Sequence, residues 1–406
     1  MKENASADSS YAAFRLGVAV LVMTLGASVM YVVPVVLPSV QSEFGVSRAD
    51  ASLAYSLLMI GFGIGGLFMG QLSDRFGVTV PLVIGACGIG AGFWLAGTSS
   101  SFVVFNAAHG LLLGLLGGSA TFSPLVADTS LWFVKRRGIA VAIVASGNYL
   151  GGAVWPPIVQ RSVDAWGWRN TYIGMGIVCA VAIIALAQLM RTRPPIVSAS
   201  SIAASAAGST HPFGMSRTSA QVLLCIAGLA CCVAMSMPQV HIVAYCGDLG
   251  YGVARGAEML AVMLGFGIVS RLVSGWICDH IGGLRTLLLG SALQGVALLL
   301  FLPFDGLVSL YVISALFGLF QGGIVPSYAI IVREHFPASE VGARVGAIIM
   351  FTLIGMALGG WMSGKVFDLT GSYHAAFMNG IAWNLLNLTI AFFLLRRTFR
   401  PVFSSA

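Results

Sequence analysis

The residue best suited to chemistry in this sequence is Arg271, which lies inside the strongly apolar stretch from Met259 to Arg285. Asp279, eight residues later, ends the apolar run, so a helix would place Arg271 about 12 Å from that end. A cation at such a depth in a membrane costs several kcal/mol unless it faces protein or a wet cavity and binds an anion. Position 267, one turn earlier, is glycine, so the helix itself offers no acid there. We therefore expect the anion to come from elsewhere, and a bound substrate is one candidate.

His241 and Gln321 are the next candidates. His241 follows the helix-disturbing Pro238 in another apolar stretch, and an imidazole with an ordinary pKa of about 6.5 can exchange a proton near neutral pH. Gln321 precedes two glycines, which would let a ligand approach the backbone closely. Packing with a satisfied hydrogen bond is the alternative role for each, because polar groups at membrane depth need partners. His109 is interpreted as a packing residue.

Further polar side chains fall within apolar stretches that would lie centrally in a bundle. They are Tyr31, Thr121, Ser123, Asn148, Tyr149, Ser327 and Tyr328. Hydrogen bonds between helices are the alternative for each of them. Asn148 and Tyr149 lie between Gly147 and Gly151, which favours them within this group. We place the five residues of the first half in a predicted substrate site with Arg271, His241 and Gln321.

The elements that position these residues follow from composition. Of 406 residues, 58% are hydrophobic and 9% are charged, whereas soluble domains carry about 25% charged residues. Twelve apolar stretches reach the length of about 20 residues that spans a membrane. We predict an all-α integral membrane protein of twelve transmembrane helices in two pseudo-symmetric six-helix bundles. The bundles are 1–190 and 219–406, joined by a cytoplasmic linker at 191–218 that is rich in Ser, Ala and Pro.

The same composition excludes several classes of function. The net charge of +7 comes from Lys and Arg in short loops, so we predict no nucleic-acid partner. The seven cysteines lack CxxC or Cys/His spacing, which argues against disulfides and against a metal site. No phosphate-binding glycine loop follows a strand, and the abundant glycines indicate close helix packing. We predict no cofactor.

Basic residues set the predicted orientation. With both termini in the cytoplasm, fifteen Lys and Arg residues fall in inner segments and five in outer segments. The outer ones are Arg48, Arg161, Arg169, Arg255 and Lys365. Loops rich in Lys and Arg stay on the cytoplasmic side of a membrane, so this bias predicts inner termini.

The two halves resemble each other in sequence. GQLSDRFG at 70–77 recurs as GWICDHIG at 275–282, an offset of 205 positions. Pro34 and Pro238 are separated by nearly the same offset. Parallel repeats with a site at their interface are typical of transporters. Under this alignment Arg271 falls opposite Gly66, so its charge has no counterpart in the first half.

Charged residues at the predicted inner helix ends form a second functional group. They are Asp74, Arg75, Arg137, Asp279, Arg285 and Arg344. We predict that they form interhelical ion pairs and helix-end contacts that break as an inner gate opens. Solvated loop charges are the alternative. Asp128, near the inner end of span four, is interpreted as a helix-end charge near Lys135.

The turn Gly70-x-Leu72-x-Asp74-Arg75-x-Gly77 resembles the signature loop of the major facilitator superfamily, and Asp279 to Arg285 resembles its degenerate copy. Twelve spans, inner termini and a central linker agree with this resemblance, which covers the whole chain. The match departs after Gly77, where the family usually has basic residues and this chain has Val-Thr-Val. The resemblance implies a transporter that works by alternating access.

A narrower resemblance joins the chain to the monocarboxylate transporter and oxalate/formate antiporter group. The residues that carry it are Trp132-Phe-x-x-Arg136-Arg137-Gly138, Ser146-Gly-Asn-Tyr-Leu-Gly151, Pro238-x-x-His241-x-x-Ala244-Tyr245 and Arg271. In that group the span-eight arginine binds the substrate carboxylate, a role the resemblance implies for Arg271. The chain lacks the lysine in span one and the aspartate at position 267 of the mammalian members. Lys365 lies past span eleven, so a single buried cation indicates one carboxylate rather than two.

We therefore predict a secondary active transporter of a small organic anion, above all a monocarboxylate, that rocks between two states and is coupled to protons. A carboxylate exchanger and a drug or metabolite efflux pump are the alternatives. A sensor or membrane enzyme is disfavoured, since the spans contain no nucleophile–base pair. The predicted setting is the lipid bilayer of a bacterial inner membrane, with the protein as a monomer.

Overall fold

The computed structural model describes residues 6–134, 136–192, 212–337 and 340–398. Within these ranges the chain is almost entirely helical and contains no β-strand. Of the predicted linker, residues 193–211 lie outside the described residues. Helices suit so apolar a chain, because a helix satisfies its backbone hydrogen bonds internally where no water is available.

The helices follow one another with short turns. In the first half they are α1 (Ser10–Gly26), α2 (Ser28–Phe44), α3 (Arg48–Phe76), α4 (Thr79–Thr98), α5 (Phe102–Ala107), a π-helix (Ala108–Gly118), α6 (Ser123–Trp132) and α7 (Arg137–Gln188). In the second half they are α8 (Arg217–Asp248), α9 (Val253–Ile281), α10 (Gly283–Leu300), α11 (Leu307–Gln321), α12 (Ile324–His335), α13 (Val341–Thr370) and α14 (Tyr373–Thr398). A short 3₁₀ turn, Pro212–Gly214, precedes α8.

Eleven helical segments of the described residues are long and apolar enough to cross a membrane. One of them, α7, has 52 residues, which is about 78 Å at 1.5 Å per residue and enough for two crossings. Gly167 interrupts it with φ 77° and ψ 159°, between the predicted fifth and sixth spans. The twelve predicted spans are therefore all present as helices, and the all-α membrane fold is confirmed.

Spans four and ten are interrupted at corresponding places. Span four passes from α5 through the π-helix to a turn at Thr121 and Phe122, and α6 then begins with Pro124 in its first turn. Span ten stops at Gln321, turns at Gly322 and Gly323, and resumes as α12. Glycine pairs followed by a proline weaken the helix in both copies, and π-helical segments recur at functional sites.

The repeated turn has the same backbone in both halves. Gly77 ends α3 with φ 84° and ψ 163°, and Gly282, 205 positions later, has φ 84° and ψ 161°. This region of backbone space is nearly restricted to glycine. The repeat predicted from sequence is thus present as a repeated conformation.

The chain divides into two compact units. Unit one contains Met1–Val197 and Gln239–Gly265, and unit two contains Ser198–Pro238 and Phe266–Ala406. The division therefore falls within α8 and within α9. The bundle boundaries 1–190 and 219–406 stay a prediction.

Within unit one, small residues bring helices close together. A Cβ atom built on Gly61 of α3 would lie 2.9 Å from the backbone nitrogen of Leu115 in the π-helix. A Cβ atom on Gly256 of α9 would lie 2.5 Å from the Cα atom of Val243 in α8. Such contacts are typical of membrane helices, where packing rather than water drives association.

Candidate functional site

Arg271 lies on α9 in unit two and is half-buried. The neighbouring face of α9 packs against the interruption of span ten, since a Cβ atom on Gly322 would lie 2.5 Å from the Gly267 carbonyl oxygen and 2.8 Å from Ser270 Cβ. Ser274 packs against Gly323 one turn further along. Successive helical residues are rotated by about 100°, so the Arg271 side chain leaves α9 beside this contact rather than through it. Arg271 therefore lies on α9 beside the residues that contact the broken span ten.

Gln321 is fully buried at the last position of α11, beside the same interruption. Ser270 is also buried, and its hydroxyl makes no hydrogen bond within the described part of the chain. Sequence reasoning passed over Ser270, although its place one residue before Arg271 is a usable signal. Arg271, Gln321 and Ser270 are thus grouped around one interruption.

The polar residues just after that interruption have structural partners. Ser327 donates a hydrogen bond to the Gly323 carbonyl at 2.8 Å. Tyr328 donates to Asn387 Oδ1 at 3.0 Å, and Asn387 in turn donates to Ser291 Oγ at 2.7 Å. The contacts of Tyr328, Asn387 and Ser291 join span ten to spans nine and twelve, which is the structural role given as the alternative for Tyr328.

In unit one, three predicted site residues come together. Tyr31 donates a hydrogen bond from its hydroxyl to Asn148 Oδ1 at 2.9 Å. Asn148 and Thr121 line one small cavity of about 10 Å³, which has room for about one water. Thr121 also contacts Gly26 so closely that no side chain fits at position 26. The kink between α1 and α2 and the interruption of span four therefore meet at this cluster.

Two other first-half candidates lie apart from that cavity. Ser123 faces α3, where a Cβ atom on Gly66 would lie 3.0 Å from Ser123 Oγ. Tyr149 is buried next to Asn148 along α7. Gly66 is the repeat counterpart of Arg271, so the first half has a serine hydroxyl near the position where the second half has a cation.

His241 is fully buried in α8, which continues through Pro238 without a break. It belongs to unit one, whereas Arg271 belongs to unit two. His109, which was interpreted as packing, is also fully buried. Its Nδ1 lies 2.8 Å from the Phe105 carbonyl oxygen and its Nε2 lies 3.1 Å from the Tyr172 hydroxyl. Both ring nitrogens of His109 are therefore satisfied within an aromatic cluster.

At one end of unit one, the structure corrects the interpretation of Asp128. Its two carboxylate oxygens accept hydrogen bonds from Arg15 Nε and Nη2, both at 2.9 Å, and the two side chains are only 6% and 3% exposed. The Arg15 guanidinium also lies 4.9 Å from the centre of the Trp132 ring. Asp128 is thus one half of a buried ion pair with Arg15, while Lys135 lies outside the described residues. The two partners are 113 residues apart, so no short-range spacing in the sequence could have predicted the ion pair.

The predicted gating residues of unit one are on its surface. Asp74 and Arg75 are exposed, and within the described residues of this unit Asp74 forms no ion pair. Arg75 stacks on Phe76 with 5.1 Å between the guanidinium carbon and the ring centre. Arg137, also exposed, donates to Ser130 Oγ at 3.1 Å. The ion-pair network predicted for these residues stays a prediction.

In unit two, Arg344 lies in an interhelical cluster. It donates from Nε to Glu340 at 2.8 Å, and Arg217 of α8 donates to the other Glu340 oxygen at 3.0 Å. The hydrogen bond from Arg344 lowers the pKa of Glu340 below its usual 4.5, helped by the positive charges of both arginines. Asp279 and Arg285 are exposed. The cluster joins the first turns of spans seven and eleven.

Other ion pairs were missed because their members are far apart in sequence. Arg48, at the start of α3, donates to Asp248 at 2.9 Å and to Gln41 at 2.7 Å. Glu43 accepts from Arg169 at 2.7 Å and also from the Trp168 indole nitrogen. The pair Arg48–Asp248 ties the first half of the chain to the end of α8 within unit one.

A half-buried arginine on a helix long enough to span a membrane, a broken helix beside it and ion pairs at helix ends are features of polytopic transporters of small solutes. The sequence model described as "Major Facilitator Superfamily" matches residues 17–309 and, in a second overlapping match, 259–405. The chain belongs to this superfamily.

Relatives with curated names support the same assignment. The chain is 28% identical over 338 residues to "Uncharacterized MFS-type transporter YcxA" of Bacillus subtilis, covering 81% of this chain and 82% of the relative. It is 26% identical over 334 residues to "Monocarboxylate transporter 13" of Bos taurus, covering 81% and 75%. The predicted resemblance to this superfamily and to monocarboxylate transporters is confirmed, and these relatives are transporters rather than enzymes.

Solved structures share the fold. A bacterial homologue of the human lysosomal transporter Spinster, inward-facing and occupied, has a TM-score of 0.71 at 13% identity and covers 96% of this chain and 97% of its own. The peptide transporter POT in complex with sulfate has a TM-score of 0.73 at 13% identity and covers 94% of each chain. These structures show the fold. As a member of the superfamily, the protein is a multi-pass membrane protein that acts on small molecules.

Proposed function

We propose that this protein is a secondary active transporter of a small organic anion, most specifically a monocarboxylate, and that Arg271 is the carboxylate anchor. One observation carries the proposal: α9 crosses the membrane with a half-buried arginine beside the broken span ten. Mid-membrane cations face cavities and mark substrate pathways. The relatives named monocarboxylate transporter 13 support the substrate class.

The chemistry of arginine suits this role. Its planar guanidinium can hold a carboxylate with two parallel charge-assisted hydrogen bonds, and it stays protonated at any physiological pH. Half-burial lowers the dielectric around the pair while leaving a route for the ligand. Ser270 and Gln321, buried at the adjacent interruption, are available to orient the bound anion if span ten moves.

The remaining predicted site residues complete the proposal. Gln321 and His241 contribute from the second half, and the first half contributes Tyr31, Thr121, Ser123, Asn148 and Tyr149. Substrate binding biases two bistable gates, so that the protein exposes its site to one side at a time. Asp74, Arg75, Arg137, Asp279, Arg285 and Arg344 act at the inner gate. We place both termini in the cytoplasm of a cell with this protein in its inner membrane, as a monomer.

Coupling to protons is the finer part of the proposal. The proton is carried by His241, or it enters with the substrate as the undissociated acid. Carboxylate exchange is the main alternative, since one anchor can serve two carboxylates in turn. Efflux of amphipathic drugs is the second alternative, but pumps for cationic drugs usually carry an acid at membrane depth, and the only buried acid described here, Asp128, is already paired with Arg15.

Uptake into proteoliposomes tests the proposal. The labelled panel contains short monocarboxylates, a dicarboxylate, an amino acid and a cationic drug, each measured with and without an inward proton gradient. Arg271→Gln should lower monocarboxylate uptake by about 30-fold or more, as expected when a charge pair in a desolvated site loses one member. Arg255→Gln is the matched control, because Arg255 is an exposed cation on the same helix. The Arg255→Gln variant should take up monocarboxylate at the wild-type rate.

Three outcomes separate the alternatives. Uptake that a proton gradient accelerates, and that His241→Gln uncouples, supports symport. Uptake that depends on carboxylate preloaded inside the vesicles, with no effect of the gradient, indicates exchange. Unchanged monocarboxylate uptake by folded Arg271→Gln protein, or transport of the cationic drug alone, contradicts the carboxylate assignment.

A further inference from the structure

A cavity of about 320 Å³ opens where spans one, four and six of unit one end beside the Gly70–Gly77 turn. Its polar walls come from Arg15, Thr79, Asp128, Arg191 and Thr192. The site proposed for carboxylates does not use any of these residues. A cavity of this size accommodates a small ligand.

The charge of the cavity is positive. Asp128 uses both carboxylate oxygens to accept from Arg15, so it is already neutralised. Arg191 adds an exposed cation at the end of span six. Arg15 is only 3% exposed, and its Nη1 is buried without a hydrogen-bond acceptor among the described residues. Arg191 therefore gives the walls one net positive charge, and Arg15 carries a buried donor group without an acceptor beside them.

The first turn of α4 adds the backbone N–H groups of Thr79 and Val80, whereas Pro81 has none. This helix begins at Thr79, and its N-terminal cap, Val78, has no side chain that could accept a hydrogen bond from the first amide groups. The first amide groups of a helix lack partners within the helix and carry its positive dipole end, which makes them a natural anion site. Val78 and Thr79 both line the cavity.

The second half of the chain shows what such a terminus binds. Gly283 is the repeat counterpart of Val78, 205 positions later, and it begins α10. Its N–H group donates to both carboxylate oxygens of Glu334, at 3.1 and 3.2 Å. An anion supplied by span ten thus satisfies this terminus in the second half. In the first half the same terminus faces the cavity.

We propose that this cavity binds a phosphate group, either from the headgroup of an anionic phospholipid or from a free phosphate-bearing solute. Arginines and a helix N-terminus recognise phosphate by charge-assisted hydrogen bonds. Phe76 and Met190 add apolar walls that suit the glycerol end of a lipid. The cavity lies where membrane spans end, and basic pockets between helices at that level bind lipid headgroups.

Two binding measurements on the full-length protein test the proposal and separate the two sources. Native mass spectrometry follows uptake of anionic phosphatidylglycerol against zwitterionic phosphatidylcholine by delipidated protein. Calorimetry follows binding of inorganic phosphate in detergent without lipid. Wild type should bind one phosphatidylglycerol in preference to phosphatidylcholine, or one phosphate, or both.

The variants assign the binding to this cavity. Arg191→Gln should weaken it about fivefold or more, the worth of about one basic residue near a membrane surface. Thr79→Glu places a carboxylate in the first turn of α4, as Glu334 does for α10, and should abolish it. Arg396→Gln is the matched control, because Arg396 is exposed and lies 205 positions after Arg191. It should bind as wild type does.

The binding results for the variants identify the ligand or overturn the proposal. Loss only in the lipid arm identifies a headgroup, and loss only in the phosphate arm identifies a solute. Equal weakening by Arg191→Gln and Arg396→Gln would show mere attraction to a basic surface and overturn the proposal. So would wild-type protein that binds neither probe. Size-exclusion profiles of all variants check that they are folded.

Discussion

Gly77 in the first half and Gly282 in the second half lie 205 positions apart in equivalent turns. They have nearly the same backbone conformation, with φ 84° in each case. The charges of the two halves differ. Arg271 is aligned with Gly66, and Arg15, buried against Asp128, is aligned with the buried Ala220. The glycine turns and the interruptions of spans four and ten are shared features of the scaffold. The charges that occur in only one copy are the candidates for specific function.

The buried ion pair of the first half should give the largest effect on stability. Asp128→Leu leaves the Arg15 guanidinium buried without its acid, which should lower the free energy of unfolding by about 3–5 kcal/mol. The double variant Arg15→Met with Asp128→Leu makes this site apolar and should recover most of the loss. Equilibrium unfolding in mixed micelles measures both.

The exposed acid Asp305 provides the control, and Asp305→Leu should change little. A single variant, Asp128→Leu, that is as stable as wild type would mean that the pair contributes nothing.

The repeated turn should give an intermediate effect that is equal in the two halves. Gly77→Ala and Gly282→Ala force alanine into a region of backbone space that costs about 1–3 kcal/mol. No atom lies within 4 Å of a Cβ built on Gly77, so strain rather than collision is the cause. Gly70→Ala, inside α3 and equally open, should be stabilising by about 0.5–1 kcal/mol. Melting temperatures of the three variants test the symmetry, and a large loss in only one turn would break it.

The Glu340 cluster of the second half should give the smallest effect, through pH. Its pKa is lowered in the folded protein, so it contributes stability above pH 4.5 that is lost as the pH falls through the lower folded value. Glu340→Gln should therefore lower the melting temperature near neutral pH by no more than about 2 °C, since the cluster is partly exposed. The difference from wild type should vanish in acid. A difference that persists or grows in acid would contradict this sign, and Asp305→Asn should show none at either pH.

Most of the fold could be predicted because hydropathy and the glycine turn are local signals. Twelve apolar stretches of sufficient length gave the spans, and GQLSDRFG with its copy gave the repeat. The interruptions of spans four and ten were not predicted, since Gly117–Gly118 and Gly322–Gly323 are also compatible with unbroken, closely packed helices. A break depends on what packs against the glycines, which the local sequence does not contain.

The site could be predicted only in part. Arg271 was identified because a charge within an apolar run is conspicuous by itself. The hydrogen bond of Tyr31 with Asn148 and the pairs of Arg15 and Arg48 join residues more than 100 positions apart, and no spacing rule connects them. Asp128 was assigned to a neighbour in sequence, whereas its partner is a neighbour in space. Ser270 was missed because serine in an apolar helix is common.

In the proposed function, Arg271 recognises a carboxylate by its charge. The most direct test is the affinity of purified protein for a short monocarboxylate and for its uncharged primary amide, measured by calorimetry on wild type, Arg271→Gln and the control Arg255→Gln. Wild type and the control should prefer the carboxylate by about 30-fold or more, and Arg271→Gln should bind the two ligands within about threefold of each other. An Arg271→Gln protein that keeps the full preference for the carboxylate would contradict the account.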